Sequence, residues 1–401
     1  MCFFFNSTVN LRQSVALGPK VMISLRLDGE LPHKYSEIEM ASIYNLSNAR
    51  SDVYEINGNI RVANNLSTIF IPSSFQVPNG STSWTIIPYT RRYVRIKLHP
   101  VREWKIQTRS LGQFPRCSRH FDAPAVLFST GAFPLNYFHA FNDIFIPLYL
   151  TTRRFDGQVV LLISNYLIWQ EVKHNYVRIL KSFTRYDIVH LDDEKDVLCF
   201  PKLIVGLTSN KEFNIDPLQP PHYSMTGFTQ FIRNAYSLKR DAVTDVRKPR
   251  MLLISRKMNR ILMNEGEVAN MARDLGFDVV VKEMGSNLTE VAHFVNSLDV
   301  MVGVHGAGLT NMIFLPEKAV VIQITPFAIE GVSEAYFGLP ARDMKLRYIE
   351  YNATVNESSL ARKYSLESEI CRDPHGIEKK KGLMYYHKLY YRSQNVILDL
   401  V

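Results

Sequence analysis

The sequence predicts an α/β protein of two doubly wound units facing a cleft, preceded by a stem and a small strand-rich segment. Three observations predict it. From residue 117 onward, short apolar runs alternate with stretches of helical spacing, the pattern of βαβ units and parallel sheets. A charged stretch at 239–249, ending in Pro249, breaks that alternation once and reads as a linker. Residues 1 to about 110 lack the alternation; they are rich in Asn and Ser and carry only short strand-like pieces such as 68–72. With 401 residues, 46% hydrophobic and 21% charged, the chain has apolar material for more than one core.

The elements follow in order. The run 91–97, Arg-Arg-Tyr-Val-Arg-Ile-Lys, alternates as a strand, and its basic residues read as a solvated face. Residues 125–128 are a short apolar strand and 136–153 a helix. Strands at 159–163 and 187–190 and helices at 172–183 and 225–238 complete a first unit spanning 111–240. The second unit, 249–383, begins with a strand at 251–255 and a helix at 265–275 closed by Gly276. A strand at 278–281 follows, then a helix at 287–298 capped by Ser286 or Asn287, and strands at 300–304 and 319–324. The aromatic tail, 384–401, reads as a helix packing back on the first unit. In such sheets ligands bind at the carboxyl ends of the strands.

The net charge of +9 suits an anionic partner, such as a nucleotide diphosphate or an acidic polysaccharide, and equally serves solubility. None of the four cysteines forms a CxxC pair, which argues against a zinc knuckle and leaves free thiols and one disulfide both open. Glycosylation sequons occur at Asn6, Asn45, Asn65, Asn79, Asn287, Asn352 and Asn356. Random placement of the 25 Asn and 47 Ser plus Thr would give about 3, so the excess favours the secretory pathway. No apolar run approaches the roughly 18 residues of a spanning helix. Either the chain is cytosolic or an anchor lies upstream, and the sequons favour the second.

Three constellations carry chemistry. In 300–311, Val-Met-Val-Gly-Val-His-Gly-Ala-Gly-Leu-Thr-Asn, an apolar strand runs into His305, Gly306, Ala307 and Gly308 and then into what reads as a helix start with Leu309, Thr310 and Asn311. Small residues let backbone N–H groups approach an anion, and a helix start adds unpaired donors. The run is neither GxGxxG nor a Walker loop, which lowers dehydrogenase and NTPase readings. At the end of another strand of the same unit stands the donor-site candidate Ser255, and beyond it Arg256 and Arg260 offer guanidiniums for a diphosphate. In the first unit, His139 and Asp143 stand four apart on one helical face and are candidates for a general base on an acceptor hydroxyl. No strand-end Asp-x-Asp is found; the nearest, in 190–194, reads as a solvated loop, so the charge of a diphosphate falls to arginine and backbone without metal. No aromatic–basic interleaving suggests nucleic acid.

These segments together resemble the plant branch of glycosyltransferase family 61. The resemblance covers about residues 115 to 399. It rests on 119–131, on Asn136-Tyr-Phe-His139 with Asp143, on 154–157, and on 248–256 ending in Ser255 and Arg256. It also rests on 299–311, on 336–338 with 340–343, and on 394–400. It implies a GT-B fold of two Rossmann-like domains and a type II membrane protein facing the Golgi lumen. It implies metal-independent, inverting transfer of xylose or arabinofuranose, with no cofactor, from UDP-xylose or UDP-arabinofuranose to xylan side-chain positions. Other members transfer xylose or N-acetylglucosamine to glycoproteins, and a non-catalytic subunit of a Golgi synthase complex is a further alternative. Two features depart from the pattern: Tyr54 stands where similar proteins carry a cysteine, and the usual anchor is not seen.

Overall fold

The computed structural model describes residues 42–75, 81–92, 101–131, 136–165, 173–244 and 248–400. Asn6 and Asn79 and the run 93–97 lie outside them. The chain is a mixed α/β protein with two sheets, and 41–401 form one compact unit.

The first sheet contains β1 (Ser42–Asn45), β2 (Tyr54–Ala63), β3 (Thr68–Pro72), β4 (Ser83–Ile86), β5 (Trp104–Arg109), β6 (Arg119–His120), β7 (Ala125–Ser129), β8 (Val160–Ser164), β9 (Val189–His190) and β10 (Val197–Val205). Its order is β4-β5-β3-β2-β10-β7-β8-β9, with β1 on β2 and β6 on β10. The strands β10, β7, β8 and β9 run parallel, and all residues of β7 and β8 are buried, as strands covered on both faces require. In sequence order this is the 3-2-1-4 arrangement of a doubly wound half, with its switch point between β7 and β10. The strand-rich segment read as separate belongs to this same sheet: β2 pairs antiparallel with β10 along its length and carries β3, β5 and β4 outward. Ile56, Ile60, Val62, Ile69 and Trp104 are fully buried in one core with Val160 and Leu203. Local alternation of apolar residues does not say which strand will be the partner, so the join was not legible.

The second sheet is fully parallel: β11 (Arg250–Ile254), β12 (Asp278–Lys282), β13 (Val300–Val304), β14 (Val320–Thr325) and β15 (Arg347–Asn352), in the order β12-β11-β13-β14-β15. This is a 2-1-3-4-5 winding, with its switch point between β11 and β13. The helix Glu265–Asp274 packs Val268, Ala269 and Ala272 on one face. Asn287 caps the helix Leu288–Asn296, its Oδ1 accepting from the N–H groups of Thr289 and Glu290.

The tail is a correction. Helical turns cover 383–392, but the chain then extends and anchors on the second half. Val396 bridges to Leu262 and Ser358 and is fully buried against the second core, and Gln394 donates to the Phe327 carbonyl. Val396, Leu398 and Leu400 alternate like a strand and cover apolar sheet there.

Candidate active site

Helix α1 (Tyr137–His139) starts just past the carboxyl end of β7. It runs through a π-helical turn (Ala140–Phe145) into α2 (Ile146–Thr152). Asn136 caps it, its Oδ1 3.0 Å from the Phe138 N–H. The loop after β10 supplies Glu212. Both strands flank the first switch point, so this cluster sits where a doubly wound half places ligands.

Asp143 is 1% exposed and its two oxygens are fully engaged. Tyr89 donates to Oδ2 at 2.6 Å, Arg91 Nε to Oδ1 at 2.9 Å, Asn142 to Oδ1 at 2.5 Å, and His139 Nδ1 lies 2.9 Å from Oδ2. Arg91 also pairs with Glu212 at 3.1 Å, and Arg50 with Glu212 at 2.8 Å. Burial alone would push the Asp143 carboxyl up; Arg91 and His139 override it and hold it far below the usual carboxylate range. Burial raises Glu212 likewise, and Arg91 and Arg50 bring it below its ordinary value. Gly131 makes the arrangement possible. At φ +73° its missing Cβ leaves room for the Tyr89 ring, which a Cβ would approach to 2.0 Å. Arg91 corrects the reading of its run as a solvated face: its side chain is 12% exposed and clamps Asp143. Tyr89, Asn142 and Glu212 gave no sequence signal, because they converge from three separate segments.

The second cluster sits at the β11/β13 switch point. Ser255 is buried, its N–H pinned to the Lys282 carbonyl at 3.0 Å. Arg256 is held by Asn259, donating to its carbonyl at 2.9 Å and its Oδ1 at 2.8 Å. Gly306 has φ +151°, and a Cβ there would lie 2.5 Å from Arg256 Nη1 and 3.3 Å from Arg260 Nη2. Both guanidiniums therefore rest against the Gly306 backbone, so the fold joins the 255–260 and 305–311 runs. Burial lowers the Arg256 pKa, offset in part by Glu283. His305 is 4% exposed; burial first, then Arg260 and Arg256, drive its pKa well below the ordinary histidine value.

The helix start after the glycines is a 3-10 helix (Ala307–Phe314), tighter than an α-helix. Ala307 and Gly308 are half-buried. Leu309 and Thr310 are fully buried, so their side chains belong to the core rather than to a ligand surface. Leu309 and Ile254 both close on Gly303, where an added Cβ would lie 3.2 Å and 3.1 Å from them, and the Thr310 hydroxyl has no partner among the described residues. Asn311 donates to the Gly308 carbonyl at 2.9 Å and holds the turn.

The two halves are in contact between the clusters. A cavity of about 290 Å³ is walled by Tyr137, Asn175 and Tyr176 of the first half and by Gly285, Gly308 and Asn311 of the second. Phe138, beside His139, stacks on Tyr336 at 5.1 Å and meets Phe337 at 5.7 Å, which touches the His305 ring at 5.5 Å. Asn214 donates to Asp343 at 2.7 Å across the same seam. Of the sequons, Asn45, Asn65, Asn287, Asn352 and Asn356 are exposed. Cys117 and Cys199 form a disulfide and Cys371 is a buried free thiol.

A family model described as Glycosyltransferase 61 matches residues 137–322, which include both clusters' principal residues. The chain is 38% identical over 365 residues to Alpha-1,3-arabinosyltransferase XAT3 of Oryza sativa subsp. japonica, covering 88% of this chain and 62% of that protein. It is 36% identical over 373 residues to Beta-1,2-xylosyltransferase XYXT1 of the same plant, covering 88% and 80%. To Xylan glycosyltransferase MUCI21 of Arabidopsis thaliana it is 32% identical over 374 residues, covering 88% and 75%. The chain thus spans about three-fifths of the length of the rice arabinosyltransferases it matches. At these identities, over nearly nine-tenths of its residues, the chain belongs to glycosyltransferase family 61.

Proposed function

We propose that this protein transfers a pentose, xylose or arabinofuranose, from a UDP-sugar to a xylan side-chain position. The observation that carries the donor half is the pair of guanidiniums, Arg256 and Arg260, resting on the Gly306 backbone at the switch point of a parallel sheet. Two guanidiniums set against a glycine backbone suit a diphosphate, and they would stabilise the charge that develops on UDP as it leaves. The relatives named for arabinosyl and xylosyl transfer supply the sugar class, and MUCI21 supplies xylan. Two wound halves enclosing a cavity suit the GT-B arrangement. Arginine takes the neutralising role, so the proposed reaction proceeds without metal.

In the acceptor half, Asp143 has no lone pair to spare and is held ionised by its partners. It accepts from His139 Nδ1, and so orients the ring for proton transfer through Nε2. His139 is thus the proposed base, and Asp143 the residue that orients it. The hydroxyl attacks the anomeric carbon from the face opposite UDP, inverting the configuration. The disulfide and the exposed sequons fit an oxidising, glycosylating compartment, the Golgi lumen.

Titration calorimetry with UDP tests the donor half. Arg256→Ala is expected to weaken UDP roughly 10- to 100-fold, the value of one to two charge-assisted hydrogen bonds. Unchanged affinity would remove the cradle. UDP binding without transfer to any xylan oligomer would favour a non-catalytic subunit instead.

A further inference from the structure

Gln323 is fully buried in the middle of β14, and its amide nitrogen lies 3.0 Å from His305 Nδ1 and 3.3 Å from Thr325 Oγ1. The amide's orientation is fixed from its far side. Thr325 Oγ1 lies 2.8 Å from Glu350 Oε1, a carboxylate that can only accept, and 3.0 Å from Ser333 Oγ. The Ser333 proton goes to the Ile329 carbonyl at 3.1 Å, so Ser333 also accepts from Thr325. The Thr325 proton is therefore given away in either arrangement, and its oxygen is left to accept. Only the NH2 end of Gln323 can meet it. The second proton of that NH2 points at His305 Nδ1, which must be bare, and a neutral ring with a bare Nδ1 carries its proton on Nε2.

The charged groups around the ring agree. Arg256 and Arg260 face it from the loop after β11, and Glu350 reaches it only through Thr325 and Gln323. Phe337 covers one side without charge, and Glu334 on the same helical turn is turned to Arg342. Gln323 Oε1 is left buried without a partner among the described residues. A side chain kept for packing alone would not leave such an atom, which marks Gln323 as serving His305.

We propose that Gln323 is a positioning residue that locks His305 as the Nε2–H tautomer, giving the cradle of Arg256 and Arg260 a fixed neutral hydrogen-bond donor for a diphosphate oxygen. The donor role rests on the proposed function; the lock does not. The Gln323 amide thus donates in two directions, to His305 Nδ1 on one side and on the other to Thr325, whose own proton goes on to Glu350 or Ser333. The lock also makes the donor insensitive to pH in the range where an ordinary histidine would gain a charge.

The test is nitrogen NMR of the full chain labelled at histidine, with His305 assigned by the signal lost in His305→Asn, and UDP titrated in parallel. Wild type is expected to show the Nε2–H pattern, without titration between about pH 5 and 8. Gln323→Glu replaces the donor by an acceptor and is expected to move the proton to Nδ1. Gln323→Met keeps the bulk and removes the bond; it is expected to mix the tautomers and weaken UDP several-fold while the fold, read by circular dichroism, is retained. A proton on Nδ1 in wild type overturns the lock, as does a Gln323→Met variant with both tautomer and UDP affinity unchanged. No UDP binding to wild type with the Nε2–H pattern intact supports the lock and overturns the donor site.

Discussion

Asp143 is a charge that the interior tolerates only because four donors surround it. Losing one partner of such a buried set is costly, so Asp143→Asn is expected to lose about 3 kcal/mol at neutral pH. The pH dependence has a definite sign. The folded-state pKa lies below the ordinary value of about 3.9, so the carboxylate stabilises the fold above that pH and ceases to do so as pH falls below it. Denaturant unfolding of wild type should therefore weaken more steeply below about pH 4 than unfolding of Asp143→Asn; parallel curves would contradict the ion-pair account. Gly306 gives a second residue-scale prediction. Gly306→Ala drives a Cβ into the Arg256 guanidinium and should cut UDP affinity at least as far as Arg256→Ala. Gly331→Ala, where a Cβ meets nothing within 4 Å, should leave it unchanged. The sequence revealed the members of these sites that lie in one run, such as His139 with Asp143 and 305–308. It hid those whose role depends on tertiary approach. Arg91, Glu212 and Gln323 look like a surface cation, a loop acid and an ordinary strand residue until the fold places them.

At the scale of elements, the strands were legible because β7, β8, β11 and β13 are contiguous apolar runs buried on both faces. Their pairing was not, since partner choice is decided by the whole core; hence β1 to β5 join the first sheet and the tail packs on the second core. The helix start after Gly306 was legible, but spacing alone does not say that it is a 3-10 helix with Leu309 and Thr310 buried. The disulfide ties Cys117, just before β6, to Cys199 in β10, closing an interval of 82 residues. A cross-link of that span removes unfolded-state entropy worth about 4 kcal/mol. Thermal unfolding of Cys117→Ser/Cys199→Ser should fall well below that of oxidised wild type and match wild type kept reduced. Equal midpoints in all three would contradict a structural role.

On the scale of the whole molecule, two wound halves present their switch points to one another. One carries an oriented histidine and the other a cationic, glycine-floored loop, and the two halves touch through the Phe138–Phe337 seam and around a cavity between Tyr137 and Gly308. On the proposed reading neither half suffices for group transfer, since one would hold the leaving group and the other activate the nucleophile. The most direct measurement is a transfer assay with the full chain, UDP-xylose or UDP-arabinofuranose, and xylan oligomers in the presence of a chelator. Products are read by mass spectrometry and the new linkage by NMR. The account predicts addition of one pentose with inverted configuration and release of UDP, abolished in Arg256→Ala and in His139→Ala while both variants remain folded. Transfer that survives undiminished in both variants, or that requires a divalent cation, would contradict it.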